Sequence, residues 1–376
     1  MYSGDIYQIQ VYALSDAGRG ASWNRFLLET TPPYKFLSPF ALRDQPLFKG
    51  RDAEIQHVLF QIGQLGMVII DGQAGSGKTS LLAAGVVPAL AQAGALVVHL
   101  HDYHQPIESI RQALAANAKQ IPISFPDPLT LPSLARAVFE DTRGTLVLIL
   151  DQFERLFEQP AEAVHRAALL EGLVQAMHEV NPEYVRPIIA VREDALPRLR
   201  EALNRLGDIH TASFHLPLLN REQAQAAIEE PLRALKYPVS FVGDLVLGQV
   251  VPGLADTLDT VTDSRDAIYP PHLQIVCHRL YQAARARHPP HIDQELYFAE
   301  SGGKGVPGIL YRYMEEELRT QLADHSTLAW KVMQSMASPG LDGWIMPDTL
   351  KADGASPGQI GQVLARLEKM SLLISH

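Results

Sequence analysis

Between Arg51 and Arg200, short apolar runs alternate with stretches in which apolar residues recur every three or four positions. The runs are Met67–Ile70, Ala95–Leu100, Leu146–Leu150 and Ile188–Val191. Each is closed by turn residues or charges, the pattern of strands buried on both faces. Helical periods fall between them at Ile55–Leu65, Thr79–Ala91, Ile107–Ala118 and Ala161–Val180. A last strand is expected at Ser213–Leu216, ahead of a helix at Arg221–Leu235. This alternation predicts an α/β fold, a parallel sheet with helices on both faces.

The flanks differ from this middle. From the helix at Arg221–Leu235 to the end the pattern is mostly helical, with Pro231, Pro238, Pro252 and Pro270–Pro271 as expected breakers and helices expected at Leu273–Ala286, Ile309–Leu322 and Ala329–Ala337. The helix expected at Gln359–Lys369, followed by Leu372–Leu373–Ile374, reads as a winged helix that stops at its first wing strand. Ahead of Thr31–Pro32–Pro33, the alternating segment Ile6–Ala13 reads as one arm of a β-hairpin whose second arm is Phe26–Leu28. With Gly18 and Gly20 these roughly twenty-five residues resemble the last two strands of a fibronectin type III domain, too few for a sandwich. The expected division is a hairpin or linker over 1–33, an α/β domain over 34–217, a helical domain over 218–325 and a truncated winged-helix-like domain over 326–376.

Composition narrows the setting. At 376 residues and 47% hydrophobic, the chain has ample material for conventional cores. A formal net charge of −10 gives no global field toward nucleic acid or an anionic membrane. Cys277 is the only cysteine, which excludes an intramolecular disulfide and a cysteine-based zinc site. Its apolar neighbours Leu273, Ile275 and Val276 mark it as a small buried hydrophobe. With no apolar run near the roughly 18 residues of a membrane span, and no signal peptide at Met1–Val11, the expected address is the cytoplasm.

The chemistry begins where the run Met67–Ile70 enters Gly72–Gln73–Ala74–Gly75–Ser76–Gly77–Lys78–Thr79, with Ser80–Leu81–Leu82 continuing as a helix. This is G-x-x-x-x-G-K-[ST] in its strand–loop–helix setting, a phosphate-binding loop. Gly72, Gly75 and Gly77 permit the dihedrals that turn successive N–H groups inward, and the helix start adds its positive end. Lys78 supplies charge to the β and γ phosphates, and the Thr79 hydroxyl suits Mg²⁺. The expected ligand is ATP or ADP with Mg²⁺.

A buried strand ending in an acid should complete such a site, and Leu146–Leu150 followed by Asp151 provides it, with Asp151 as the second Mg²⁺ ligand. Three residues on, Glu154 is placed to polarise the attacking water, or else to close a capping box with Asp151. Arg192, at the tip of the next strand, is a candidate to sense the γ-phosphate, or else pairs with Glu193 or Asp194. The histidines His99, His101 and His104 read as a solvated strand end rather than a metal site.

Taken together, these residues resemble the STAND class of AAA+-related P-loop ATPases, in particular the bacterial group called novel STAND type one, over roughly Tyr34 to His376. The words that carry the resemblance are Leu47–Phe48–Lys49–Gly50–Arg51–Asp52–Ala53–Glu54, the loop continuing to Leu90, Asp151–Gln152–Phe153–Glu154, Ala190–Val191–Arg192–Glu193–Asp194, Leu216–Pro217–Leu218 before Ala227–Pro231, and Tyr269–Val276. The resemblance implies a nucleotide-operated switch in which ATP, held between the α/β domain and the helical and winged-helix domains, favours an open, often homo-oligomeric state. It implies that Gly50 and Arg51 lie near the adenine or ribose, that Ser76 and Ser80 belong to the nucleotide loop, and that Pro271 presses on the base. Relatives join such a module to sensor and effector domains, and many act in signalling or defence against phage. The sequence departs from the pattern in two places. It stops before the wing strand whose histidine reads the nucleotide, as a fragment or a minimal member with partners in trans would, and His101–Asp102–Tyr103–His104 stands where an arginine-bearing turn is expected.

Two other readings stay open. A DNA-handling initiator or transposition ATPase would place Gln359–Lys369 in a groove, but Arg366 and Lys369 beside Glu368 make a thin phosphate footprint. An interaction scaffold would carry a fixed nucleotide without turnover.

Overall fold

The computed structural model describes residues 9–12, 28, 30–116, 122–158, 163–179, 183–207, 209–257, 266–322, 328–329 and 361–363. Its main sheet has five parallel strands, β2 (Val68–Gly72), β3 (Leu96–Leu100), β4 (Leu146–Leu150), β5 (Val185–Arg192) and β6 (Ala212–His215), in the order β3-β4-β5-β2-β6. Every residue of β2, β3 and β4 is buried, which is why these strands read as largely apolar runs, with Asp71 and His99 as buried polar exceptions. β5 lies between β2 and β4, with Gly72 beside Arg192 and Leu150 beside Ile189. The phosphate loop, the acid after β4 and the tip of β5 therefore meet at one rim of the sheet.

Successive strand residues feed two separate cores. Val147 and Ile149 join one, with α1 (Asp52–Leu65) and the helix after the loop. Leu146, Leu148 and Leu150 join the other, with α4 (Pro106–Ala116), α5 (Leu131–Thr142), α7 (Ala163–Glu179) and α8 (Leu196–Leu206). The helix after the loop is three pieces: α2 (Lys78–Ser80), a π-helical stretch (Leu81–Val86) and α3 (Val87–Gln92). Pro88 explains the widening, because it has no N–H and its ring would clash with a carbonyl four residues back. A second π stretch, Val246–Val250, stops in the same way just ahead of Pro252.

Several expectations are corrected. The strand β1 (Ile9–Tyr12) lies antiparallel on the edge of β3, Ile9 opposite Leu100 and Tyr12 opposite Val97, so it extends the α/β sheet instead of forming a hairpin of its own. Of the expected second arm, Phe26 and Leu27 lie outside the described residues, and Leu28 is helical and packs on the helical core. Strand β2 runs two residues past Ile70, because Asp71 finds a partner in His215 at 2.6 Å. Helices α5 and α8 and the short α6 (Arg155–Glu158) were not anticipated from periodicity. The start of α5 is fixed by a box in which the Thr130 hydroxyl accepts from Ser133 N at 3.2 Å, with serine in the place usually held by Glu or Gln.

The C-terminal half builds a third core from α9 (Arg221–Ala234), α10 (Val251–Asp256), α11 (Pro270–Arg285), α12 (Gln294–Ser301) and α13 (Gly305–Leu322), with a short parallel pair, β7 (Ser240–Phe241) and β8 (His291–Ile292). Residues 31–48 form a strap against it. Tyr34 is buried and donates to Ile228 O at 2.6 Å, Tyr237 donates to Thr31 O at 2.6 Å, and Lys35 pairs with the buried Asp44 at 3.1 Å. The strap also reaches the other half, since Phe40 N donates to the Ser80 hydroxyl at 3.1 Å. The expected winged helix and its wing strand lie outside the described residues, apart from short helical pieces at 328–329 and 361–363.

Candidate functional site

A cavity of about 980 Å³ opens at the rim where β2, β4 and β5 end, between the sheet and the helical half. Its lining includes the polar stretch Gly75 to Thr79 with Asp151, Glu154 and Arg192, and the apolar side chains of Phe36, Phe48, Pro271, Leu310 and Tyr313. The size and the mixture of charged and aromatic lining suit a ligand with a polyanionic tail and a flat apolar head.

The loop has the backbone that its glycines predict. Gly75 and Gly77 have φ of 77° and 99°, in the left-handed region where side chains are strained. A Cβ on Gly77 would meet nothing within 4 Å, so the loop faces open space there. A Cβ on Gly75 would lie 2.3 Å from the hydroxyl oxygen of Tyr269, so this tyrosine, just ahead of α11, lies directly on the phosphate loop. The Lys78 ammonium donates to Gly72 O at 2.7 Å and Gln73 O at 2.9 Å. Burial lowers its pKa, and Glu154, Asp151 and Glu193 counter that.

Asp151 is buried at the end of β4 and is the best-held acid in the site. Its Oδ1 accepts from Gln152 N at 2.9 Å, while His99 Nε2 and His101 Nδ1 approach Oδ2 to 3.3 and 3.5 Å. Tyr103 donates to its backbone carbonyl at 2.7 Å. Burial pushes the Asp151 carboxyl up, but the hydrogen bond and charge interaction with His99, and smaller contributions from His101 and Thr79, outweigh it and hold the group below the usual range. His101 is lowered to about 4 by burial and by His99, so at neutral pH it carries no charge. Thr79 lies close enough to Asp151 to help lower its pKa, so the two residues assigned to Mg²⁺ lie side by side in the cavity wall. A hydroxyl beside a carboxylate at the start of the loop helix fits that hard cation, which takes oxygen ligands.

Glu154 and Arg192 are joined through the backbone: Arg192 N donates to Glu154 Oε2 at 3.1 Å. Burial raises the Glu154 pKa, opposed by that bond and by Lys78. The Arg192 guanidinium makes a fork with Asp194, Nε to Oδ1 at 3.0 Å and Nη2 to Oδ2 at 2.6 Å. The ion pair that the sequence left open as the alternative role of Arg192 is thus present.

The remaining sequence candidates divide. Arg51 lines the cavity but is fully engaged, donating to Glu54 at 2.8 Å, Pro217 O at 2.7 Å and Ser76 O at 3.2 Å. Burial lowers its pKa and Glu54 counters that. Gly50 lies under α9, where a Cβ would be 2.3 Å from Gln223 O, and is not among the lining residues. Ser76 is buried with an unpartnered hydroxyl, Ser80 holds the strap, and Pro271 lines the cavity. Sequence reasoning missed Tyr269 and the histidines behind Asp151. His99 is not at a solvated strand end, because β3 is covered by β1 on one side and β4 on the other.

A parallel sheet whose β5 separates the phosphate-loop strand from the acid strand, with Lys78, Thr79 and Asp151 at one rim, defines the class of P-loop NTPases with an α/β core. Residues 33–376 match the family described as novel STAND NTPase 1, and the chain belongs to it. No curated protein matches the sequence. Among solved structures, similar chains include a Walker-type ATPase of Pyrococcus abyssi at 13% identity and TM-score 0.49, covering 90% of this chain and 94% of that one. The ORC2 protein of Aeropyrum pernix in its ADP form is 17% identical with TM-score 0.47, covering 93% and 90%. Cdc6p from Pyrobaculum aerophilum is 15% identical with TM-score 0.45, covering 87% of each chain.

Proposed function

We propose that this chain is an ATP-operated switch that hydrolyses its nucleotide slowly. The observation that carries the reading is that one cavity is walled by Lys78, Thr79 and Asp151 on the sheet side and by Tyr269, Pro271 and His272 on the helical side. A ligand touching both halves shifts their equilibrium by its difference in affinity for the two arrangements. In this reading the α/β domain spans 34–217, the helical domain 218–325 and the winged-helix-like domain 326–376. Lys78 and the loop amides hold the phosphates, Thr79 and Asp151 hold Mg²⁺, and the base sits among the aromatic residues beside Pro271. When bound, Mg²⁺ draws charge from the β and γ phosphates. Glu154 accepts a proton from the attacking water, and the γ-phosphate draws Arg192 away from Asp194.

The family resemblance supports the wider setting: a cytoplasmic switch, homo-oligomeric with ATP, coupled to sensor and effector partners in signalling or antiphage defence. Calorimetry and a phosphate-release assay on the variants test the core of this proposal. Lys78→Ala is expected to lose ATP binding by at least about tenfold, the ratio set by ~1.4 kcal/mol. Glu154→Gln is expected to bind ATP as the parent does and hydrolyse it poorly. Equal loss of binding in both variants would remove Glu154 from the role of base.

A further inference from the structure

Two imidazoles aim at the same carboxylate oxygen behind the phosphate loop. His99 Nε2 and His101 Nδ1 lie 3.3 and 3.5 Å from Asp151 Oδ2, and all three atoms fall within 4.8 Å of one another. The rings are close and tilted, with centroids 4.3 Å apart and planes at 39°. One hydrogen bond would suffice to orient the carboxylate, so the second imidazole calls for another explanation. His99 is 1% exposed, and its other ring nitrogen has no hydrogen-bond partner, so the ring is not fixed by a structural bond on its far side.

We propose that His99, His101 and Asp151 form a binding site for a borderline transition-metal dication such as Zn²⁺, and that this ion competes with Mg²⁺-nucleotide for Asp151. A tetrahedral ion with N and O ligands near 2.0–2.2 Å needs ligand–ligand edges of about 3.4 Å. Two of the three edges already have that length. The third, between the two imidazole nitrogens, is no longer than 4.8 Å, and the His101 side chain, 21% exposed, gives the ion a way in. Two imidazole nitrogens with one carboxylate suit Zn²⁺, Co²⁺ or Ni²⁺ and not Mg²⁺, which prefers an all-oxygen octahedron. With three protein ligands the fourth position stays open to water. The site draws on the carboxylate that the ATP reading assigns to Mg²⁺, so the competition rests on that reading, whereas the metal site itself does not.

Co²⁺ titration of the nucleotide-free protein tests the site, read by the visible absorption of tetrahedral Co²⁺ and by calorimetry. One ion per chain with intense visible bands is expected. His99→Gln and His101→Gln should each lose the bands and weaken binding at least about tenfold, since even outer-shell partners of metal ligands are worth 10–100-fold. Circular dichroism of both variants separates a lost site from a lost fold. No bands in the parent, or unchanged affinity in folded variants, would overturn the site. Mg²⁺-ATP at about a hundred times its Kd should weaken Co²⁺ binding about a hundredfold in the parent, because the two ligands exclude each other at Asp151. ATP binding measured separately with unchanged Co²⁺ affinity would overturn the competition and leave the nucleotide reading intact.

Discussion

Tyr269 reaches across from the helical half to the phosphate loop, where a Cβ on Gly75 would lie 2.3 Å from its hydroxyl oxygen. Gly75→Ala sets a Cβ against the tyrosine ring on a backbone at φ 77°, so a stability loss of ~1–3 kcal/mol is expected in urea titration. Adding Tyr269→Ala should recover the contact part of that loss but not the backbone part, so the double variant should be less destabilised than the sum. Glu154 gives a pH prediction. Its folded pKa is raised by burial, so its protonated form is favoured in the fold. Any stability from this is present below the unfolded pKa and is lost as pH rises through the folded one. Turnover runs the other way, because a base must be ionised. The rate at saturating Mg²⁺-ATP should climb with pH along a limb lying above the ordinary glutamate range, and Glu154→Gln should flatten that limb. The loop residues and Asp151 were legible in the sequence because their spacing alone defines the motif. Tyr269, His99 and His101 were not, because nothing local says that a residue near α11 or on β3 will face the loop.

Among the elements, the helix after the loop shows how one residue reshapes a turn. Pro88 and Pro252 each follow a π-helical stretch, and periodicity read both regions as ordinary helix or as breaks because an amphipathic period survives a single widened turn. Helix α5 escaped because its cap uses Ser133. Thr130→Ala removes that cap and should cost ~1 kcal/mol, seen as a shift of the denaturation midpoint at constant slope. Phe153, fully buried between the acid strand and α6, anchors the segment from Asp151 to Glu154. Phe153→Ala should cost ~3–5 kcal/mol and shift both carboxylates.

For the whole chain, the strap over 31–48 and the cavity tie the two halves together, through Phe40 N on Ser80 on one side and Tyr34 on Ile228 on the other. ATP at about a hundred times its Kd should therefore stabilise the protein by ~2.7 kcal/mol, measurable as a rise in Tm. Cys277 offers a second probe, since it is fully buried in α11 and burial pushes its thiol well above the usual range. It should resist alkylation in the native protein and react at the rate at which the helical core opens. No described helix is long and apolar enough to cross a membrane.

Order along the chain was enough to define the phosphate loop, the acid strand and the α/β class, because a P-loop is a local device in which neighbouring amides and one lysine do the binding. Spatial meeting was decided only in three dimensions. The placement of β1 on β3, the engagement of Arg51 and Arg192, and the gathering of His99 and His101 at Asp151 depend on strand order and register, which pair residues far apart in the chain. Residues within one turn follow from sequence; residues across a sheet follow from which strand lies beside which.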